Sequence, residues 1–266
     1  MTAPSCVCLD LDGVVWRGDE VVPGSPEAIE ELRRTGLRVG YLSNNSSLRV
    51  AEVVAKLERM GVEAPPEDVL TSALAAADLL SATLTPGACV LSCAGPGVVE
   101  AVTKAGFTIV DAPPADAVVV GFHRTFDFDE LDRASQAIRQ GARFVATNLD
   151  STYPIPGGLL PGAGSIAAAV ATASGTAPEV AGKPAPPAAD MVRRRLGTRG
   201  VVVGDRPSTD GALAQLLGWP FALVLSGVTS RVPTPGGEAV PNPPPPFVGD
   251  DLAALVPALV AALHAG

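Results

Sequence analysis

A chain of 266 residues that is 47% hydrophobic but only 4% aromatic must build its core mainly from Val, Leu and Ala. That fits a globular α/β protein and excludes a disordered one. The formal net charge is −9, and the longest basic cluster is Arg193-Arg194-Arg195 on a predicted helix, which excludes a binder of the nucleic-acid backbone.

No charged-then-apolar leader opens the chain, and the apolar run Leu252–Leu263 is too short for a bilayer and contains Pro257. A cytoplasmic protein with no membrane partner is therefore expected. The four cysteines fall as Cys6/Cys8 and Cys89/Cys93. These spacings match no common zinc pattern, so the cysteines read as small buried apolar residues.

The opening stretch Cys6-Val7-Cys8-Leu9-Asp10-Leu11-Asp12-Gly13 is an apolar run that stops at two acids and a glycine. It predicts a strand buried on both faces that delivers its last residues to a site. Asp10 and Asp12 are two apart, so on an extended chain they leave the same face. Two such carboxylates repel unless a cation lies near them. Gly13 permits a tight turn, and this edge of an open α/β sheet is where ligands bind.

Next, Ser25 is placed to cap a helix with Pro26 in its first turn and Gly36 at its end. Leu37–Leu42 predicts a strand running into Ser43-Asn44-Asn45-Ser46, followed by a helix with Val50, Val53, Val54 and Leu57 on one face. Strand–helix–strand–helix predicts a parallel sheet with right-handed crossovers. After Pro65-Pro66 a second α/β series begins. It has strands at Cys89–Ala94, Ala117–Gly121 and Arg143–Asn148, with a helix capped by Asp127 between the last two.

A Pro/Gly-rich loop is expected through Pro161, then an Ala-rich helix over Ser165–Ser174. Lys183-Pro184 leads into a helix ending at Leu196, and Val201–Val203 predicts a short strand ending in Gly204-Asp205. A helix over Thr209–Leu217, a strand over Phe221–Leu225, a loop over Pro233–Pro246 and a helix over Asp250–Ala262 complete the chain.

Four features therefore follow apolar strands: Asp10/Asp12, Ser43-Asn44, Lys183 and Asp205/Asp210. Singly, each has a plain structural reading as a turn, a helix cap or a surface charge. Together they offer carboxylates for Mg²⁺, and a hydroxyl, an amide and an ammonium for phosphoryl oxygens. Gly95-Pro96-Gly97 matches no nucleotide-binding loop and reads as a turn.

On these residues the chain resembles the haloacid dehalogenase superfamily, in its phosphatase branch with a C2-type cap. The motifs are Asp10-Leu11-Asp12-Gly13-Val14-Val15-Trp16-Arg17-Gly18, Ser43-Asn44-Asn45-Ser46-Ser47, Gly182-Lys183-Pro184 and Gly204-Asp205-Arg206-Pro207-Ser208-Thr209-Asp210. The group it is similar to includes 4-nitrophenylphosphatases, phosphoglycolate phosphatases and glycerol-3-phosphate phosphatases. The resemblance implies a doubly wound, mostly parallel Rossmann-like core, residues 1–70 with 182–266, and an α/β cap, residues 71–181.

It also implies roles. Asp10 is the expected nucleophile, forming an aspartyl-phosphate. Asp12 is the expected acid and base, and it offers its carbonyl to Mg²⁺. Ser43, the Asn44 backbone and Lys183 hold the phosphoryl group. Asp205 ligates the metal, and Asp210 supports it from one step back. Arg124, Asn148 and Asp150 are cap candidates to face the substrate, beside His123 and Tyr153. The expected partner is a small phosphorylated metabolite, and pairing through the cap implies a homodimer. The segment Gly211-Ala212-Leu213-Ala214-Gln215 departs from the family's usual Ile after the second aspartate. Competing expectations are a receiver-like domain or a sugar-phosphate-binding protein without turnover.

Overall fold

A computed structural model describes residues 6–155, 158–231 and 237–264. The chain folds as two compact units, one made of residues 1–43, 53–70 and 189–266 and the other of 44–52 and 71–188. Packing thus groups 44–52 and 182–188 with the segment 71–181.

Among the described residues of the first unit, a six-stranded sheet has the order Phe247–Gly249, Phe221–Val224, Gly200–Gly204, Cys6–Leu9, Arg38–Ser43, Val69–Thr71. The strands from Phe247–Gly249 to Arg38–Ser43 run parallel. Cys6–Leu9 lies inside this sheet and is buried at every position. Covering on both faces is what removes the alternation of apolar and polar residues.

The helix expected after Ser25 spans Ser25–Arg34, but Gly24 is its N-cap. The Ser25 hydroxyl instead donates to the Val14 carbonyl at 2.7 Å. Buried away from water, it ties the helix to the loop beyond Asp12 rather than capping. The final helix, Leu252–His264, keeps Pro257 inside it and buries Leu252, Leu255, Val256 and Leu259. No helix of the described residues is long and apolar enough to cross a membrane.

In the second unit a five-stranded parallel sheet runs Glu179–Val180, Arg143–Ala146, Ala117–Val120, Cys89–Cys93, Thr108–Val110 among the described residues. Arg143 forks onto Glu179 from the neighbouring strand, with Nε to Oε1 at 2.5 Å. That guanidinium holds the Glu179 carboxyl below the usual carboxylate range. Asp127 caps the helix Phe128–Arg139 as expected, accepting from Glu130 N at 2.8 Å.

Three features go beyond the sequence reading. The Pro/Gly-rich loop contains an antiparallel hairpin, Thr152–Ile155 with Gly158–Pro161. A two-stranded hairpin tolerates prolines because each strand has a free edge. The helix Ser72–Ser81 has no single apolar stripe to mark it, because its Ala-rich sequence buries Ser72, Ala73, Ala75, Ala76, Ala77 and Leu80. Part of the expected loop Pro233–Pro246, residues 233–236, lies outside the described residues. Within the rest, Glu238–Ala239 pairs with Thr229–Ser230.

Leu223 is fully buried in the parallel sheet. Leu223→Ala is expected to lower unfolding stability by about 2–5 kcal/mol in urea titrations. Phe128 is 78% exposed, and Phe128→Ala is expected to change unfolding stability by less than about 0.5 kcal/mol.

Candidate active site

Strand register assembles the acids of the first unit. Leu9 lies opposite Val203 in the parallel ladder, and Asp10 N donates to the Val203 carbonyl at 2.8 Å. Asp10 and Asp205 therefore leave adjacent strands at the same carboxyl edge. A π-helical turn over Pro207–Gly211 brings Asp210 back beneath it, where its Oδ2 accepts from Arg206 N at 3.1 Å. A Cβ at Gly204 would stand 2.2 Å from the Asp210 Cγ, so a glycine is required for this return.

The carboxylate oxygens of Asp10, Asp205 and Asp210 lie within 4.8 Å of one another, with Asp205 and Asp210 buried. At an effective dielectric of ~20, each like-charged pair at that separation repels by about 3–4 kcal/mol. A multivalent cation offsets this cost, and an all-oxygen donor set suits Mg²⁺. The residues present fit that ion.

The position of Asp205 is set from two sides. Its Oδ2 accepts from Val228 N at 2.5 Å. Any Cβ at Gly13 or Gly227 would lie 2.4 Å or 1.9 Å from that same oxygen. Ser226 Oγ donates to the Gly13 carbonyl at 2.6 Å, closing the loop onto the turn after Asp12. The segment Ser226–Val228 escaped sequence reading because it carries no motif. Its signal was position, just past the apolar strand Phe221–Val224, where the other site features stand relative to theirs.

Asp12 is oriented by the Trp16 indole, whose Nε1 donates to Asp12 Oδ1 at 3.0 Å. The ring in turn lies under the Lys56 ammonium, 4.4 Å from its centroid. Lys56 is buried and also donates to the Gly18 carbonyl at 2.7 Å. A cation on the helix Val50–Arg59 thus holds the aromatic partner of a candidate catalytic acid. Nothing in the helix's spacing marks this lysine.

Ser43 ends the strand Arg38–Ser43 and is buried. That strand pairs with Cys6–Leu9 through Tyr41 opposite Leu9, so Ser43 also reaches the carboxyl edge. Burial pushes the Cys6 thiol up to about 12, so this cysteine is chemically quiet, as its apolar reading implies.

The second unit holds Asn44 and Lys183 in one hydrogen-bonded clamp. Asn44 Oδ1 accepts from Lys183 N at 2.8 Å, and its Nδ2 donates to the Lys183 carbonyl at 3.1 Å. The same Nδ2 donates to Asp150 Oδ2 at 3.1 Å. The Asn44 carbonyl accepts from Ser72 Oγ at 2.6 Å and from Asn148 Nδ2 at 2.7 Å. Gly182 fits because a Cβ there would lie 2.4 Å from the Thr147 carbonyl oxygen.

Asn148, expected to face the substrate, is thereby used at both ends, since its Oδ1 also accepts from Asp150 N at 3.0 Å. It braces the clamp. Asp150 shares in that brace, whereas Arg124 is exposed in the segment between Ala117–Val120 and Phe128–Arg139.

Comparison with known proteins agrees with this architecture. A haloacid dehalogenase-like hydrolase profile matches residues 7–108, and a second HAD-hydrolase-like profile matches residues 180–255. The D-glycerol 3-phosphate phosphatase of Mycobacterium tuberculosis is 40% identical over 94% of this chain and 70% of its own length. An acid sugar phosphatase of Staphylococcus aureus is 35% identical over 84% of this chain and 86% of its own.

Among solved structures, the M. tuberculosis glycerol phosphate phosphatase in complex with magnesium superposes with a TM-score of 0.84 at 38% identity, covering 95% of this chain and 77% of that one. The 4-nitrophenylphosphatase of Thermotoga maritima gives 0.85 at 32% identity, covering 96% and 97%. The chain belongs to the haloacid dehalogenase-like hydrolase family. Within it, it is a phosphatase.

Gly227→Ala drives a methyl into the Asp205 carboxylate. It is expected to weaken Mg²⁺ binding at least about tenfold by isothermal titration, with the circular dichroism spectrum unchanged.

Proposed function

We propose that this chain is a Mg²⁺-dependent phosphomonoesterase that hydrolyses a small polyol or sugar phosphate through an aspartyl-phosphate on Asp10. What supports the reading is the convergence of Asp10, Asp205 and Asp210 at the edge of the parallel sheet. The names of the relatives at 40% and 35% identity support the substrate class. Residues 1–70 and 182–266 act as the catalytic core and 71–181 as the cap.

In this reading a carboxylate oxygen of Asp10 attacks phosphorus as the bond to the leaving alcohol breaks. Asp12, held by Trp16, gives its proton to that alcohol. Water then attacks the phosphorus of the aspartyl-phosphate, and Asp12 takes a proton from it, so phosphate leaves and Asp10 is regenerated. Ser43, the Asn44 backbone and the Lys183 ammonium hold the phosphoryl oxygens through both steps.

Asp10, the Asp12 carbonyl and Asp205, supported by Asp210, would hold Mg²⁺, which when bound would offset charge on the phosphoryl group. The Asn44 clamp fixes the backbone on both sides of the Lys183 side chain, so the ammonium starts from an anchored position. A cytoplasmic location and a cap-paired homodimer belong to the same reading.

The test is inorganic phosphate release over glycerol phosphate, phosphoglycolate, sugar phosphates, nucleotides and 4-nitrophenyl phosphate. Turnover is expected to vanish with EDTA, to return with Mg²⁺, and to fall at least about a thousandfold in Asp10→Asn. Turnover that survives both would refute the reading.

A further inference from the structure

Away from the carboxylate cluster, a second group of ligating side chains meets inside the second unit. Cys93 ends the strand Cys89–Cys93 and lies opposite Val120 of the next strand. The chain leaves that strand through Gly121-Phe122-His123, and Glu130 stands in the first turn of the helix Phe128–Arg139. A Cys93 sulfur, a His123 ring nitrogen and a Glu130 carboxylate oxygen lie within 4.8 Å of one another.

The histidine is the informative member. Its side chain is only 8% exposed. Its Nε2 is buried and has no hydrogen-bond partner among the described residues. The nearest acid oxygen, Glu130 Oε2, is 3.6 Å away, beyond hydrogen-bond reach. On the other side of the ring, Nδ1 is 3.2 Å from Thr125 Oγ1. Phe126 packs edge-on at 6.0 Å between centroids. A proton on Nδ1 donated to Thr125 leaves the Nε2 lone pair aimed at the cluster, as in metal-binding histidines whose second nitrogen is tied down.

Two ordinary readings fail. A buried ring nitrogen left without a hydrogen bond costs about 1–3 kcal/mol, which a purely structural histidine avoids. A reactive thiol is excluded as well, because Cys93 is fully buried at the end of its strand and no substrate or oxidant reaches it from solvent.

We propose that Cys93, His123 and Glu130 form a second metal site, taking a borderline-soft divalent cation of the Zn²⁺ type with water as the fourth ligand. Thiolate and imidazole donors select such a cation over Mg²⁺. Tetrahedral zinc with bonds of about 2.0–2.3 Å spaces its ligand atoms about 3.3–3.8 Å apart. The 3.6 Å between His123 and Glu130 already meets that spacing. Cys93 binds as the thiolate and its proton goes to solvent. The ion then ties the segment between Ala117–Val120 and Phe128–Arg139, which carries Arg124, to the sheet and to the helix. Reading the cysteines by their own spacing misses this site, because its other two ligands come from a loop and a helix.

The probe is Co²⁺ added to the full-length, metal-stripped protein, with excess Mg²⁺ present to occupy the oxygen site. One equivalent is expected to produce a sulfur-to-cobalt charge-transfer band, which an all-oxygen site cannot give. Zn²⁺ is expected to abolish the band and to raise the melting temperature. Cys93→Ser should remove the band, Cys89→Ser should keep it, and His123→Gln and Glu130→Gln should each weaken binding at least about tenfold. Absence of the band in the wild type, or its persistence in Cys93→Ser, would overturn the proposal. If Cys93→Ser fails to fold, Glu130→Gln decides instead: unchanged cobalt affinity refutes the site, and weakened affinity supports it.

Discussion

Three carboxylates held within 4.8 Å of one another are the constraint on which the first unit depends. Their mutual repulsion is a standing cost in a domain whose net stability is only about 5–15 kcal/mol. The sheet tolerates it because each acid is fixed by backbone that has other work. Asp10 continues the ladder onto Val203, Asp205 accepts from Val228 N, and Asp210 accepts from Arg206 N. A divalent cation converts the repulsive cluster into a bound one, so metal binding and stability of this edge are linked.

Small residues make the cluster possible. Gly13, Gly204 and Gly227 each sit where a methyl would strike a carboxylate. Gly13 also takes a φ of +87°, a region other residues rarely enter. The clamp in the second unit follows the same logic with different chemistry. One asparagine amide satisfies both the N–H and the C=O of Lys183. This fixes the backbone from which the buried Lys183 side chain departs. In the first unit main-chain N–H groups hold the carboxylates of Asp205 and Asp210, and in the second a side-chain amide holds the main chain of Lys183.

Much of this was legible in the sequence where local chemistry and strand position agreed. Apolar runs that end in Asp10, Ser43 and Asp205 are explicit, because a doubly covered parallel strand has to be apolar and its ligand residues have to follow it. Ser226–Val228 was less visible, since a loop that works through a backbone N–H leaves no side-chain signature. Lys56 and Trp16 were hidden for another reason. A buried lysine over an indole depends on tertiary approach, and its helix reads the same with the lysine in solvent. Asn148 stands as a substrate-facing candidate by its place after a strand, whereas its hydrogen bonds to the Asn44 carbonyl and from Asp150 N depend on tertiary approach and leave no mark in the sequence. The helix Ser72–Ser81 shows the limit of periodicity, because alanines buried all round leave no stripe to read.

The central claim is that Asp10 carries the phosphoryl group during turnover. Acid-quenching a single turnover with the best phosphomonoester and mapping the protein by mass spectrometry tests it directly. The account predicts a transient phosphoryl adduct on the peptide containing Asp10, formed and lost at the rate of phosphate release and trapped by borohydride at that residue. Full turnover with no adduct, or an adduct on another residue, would contradict it.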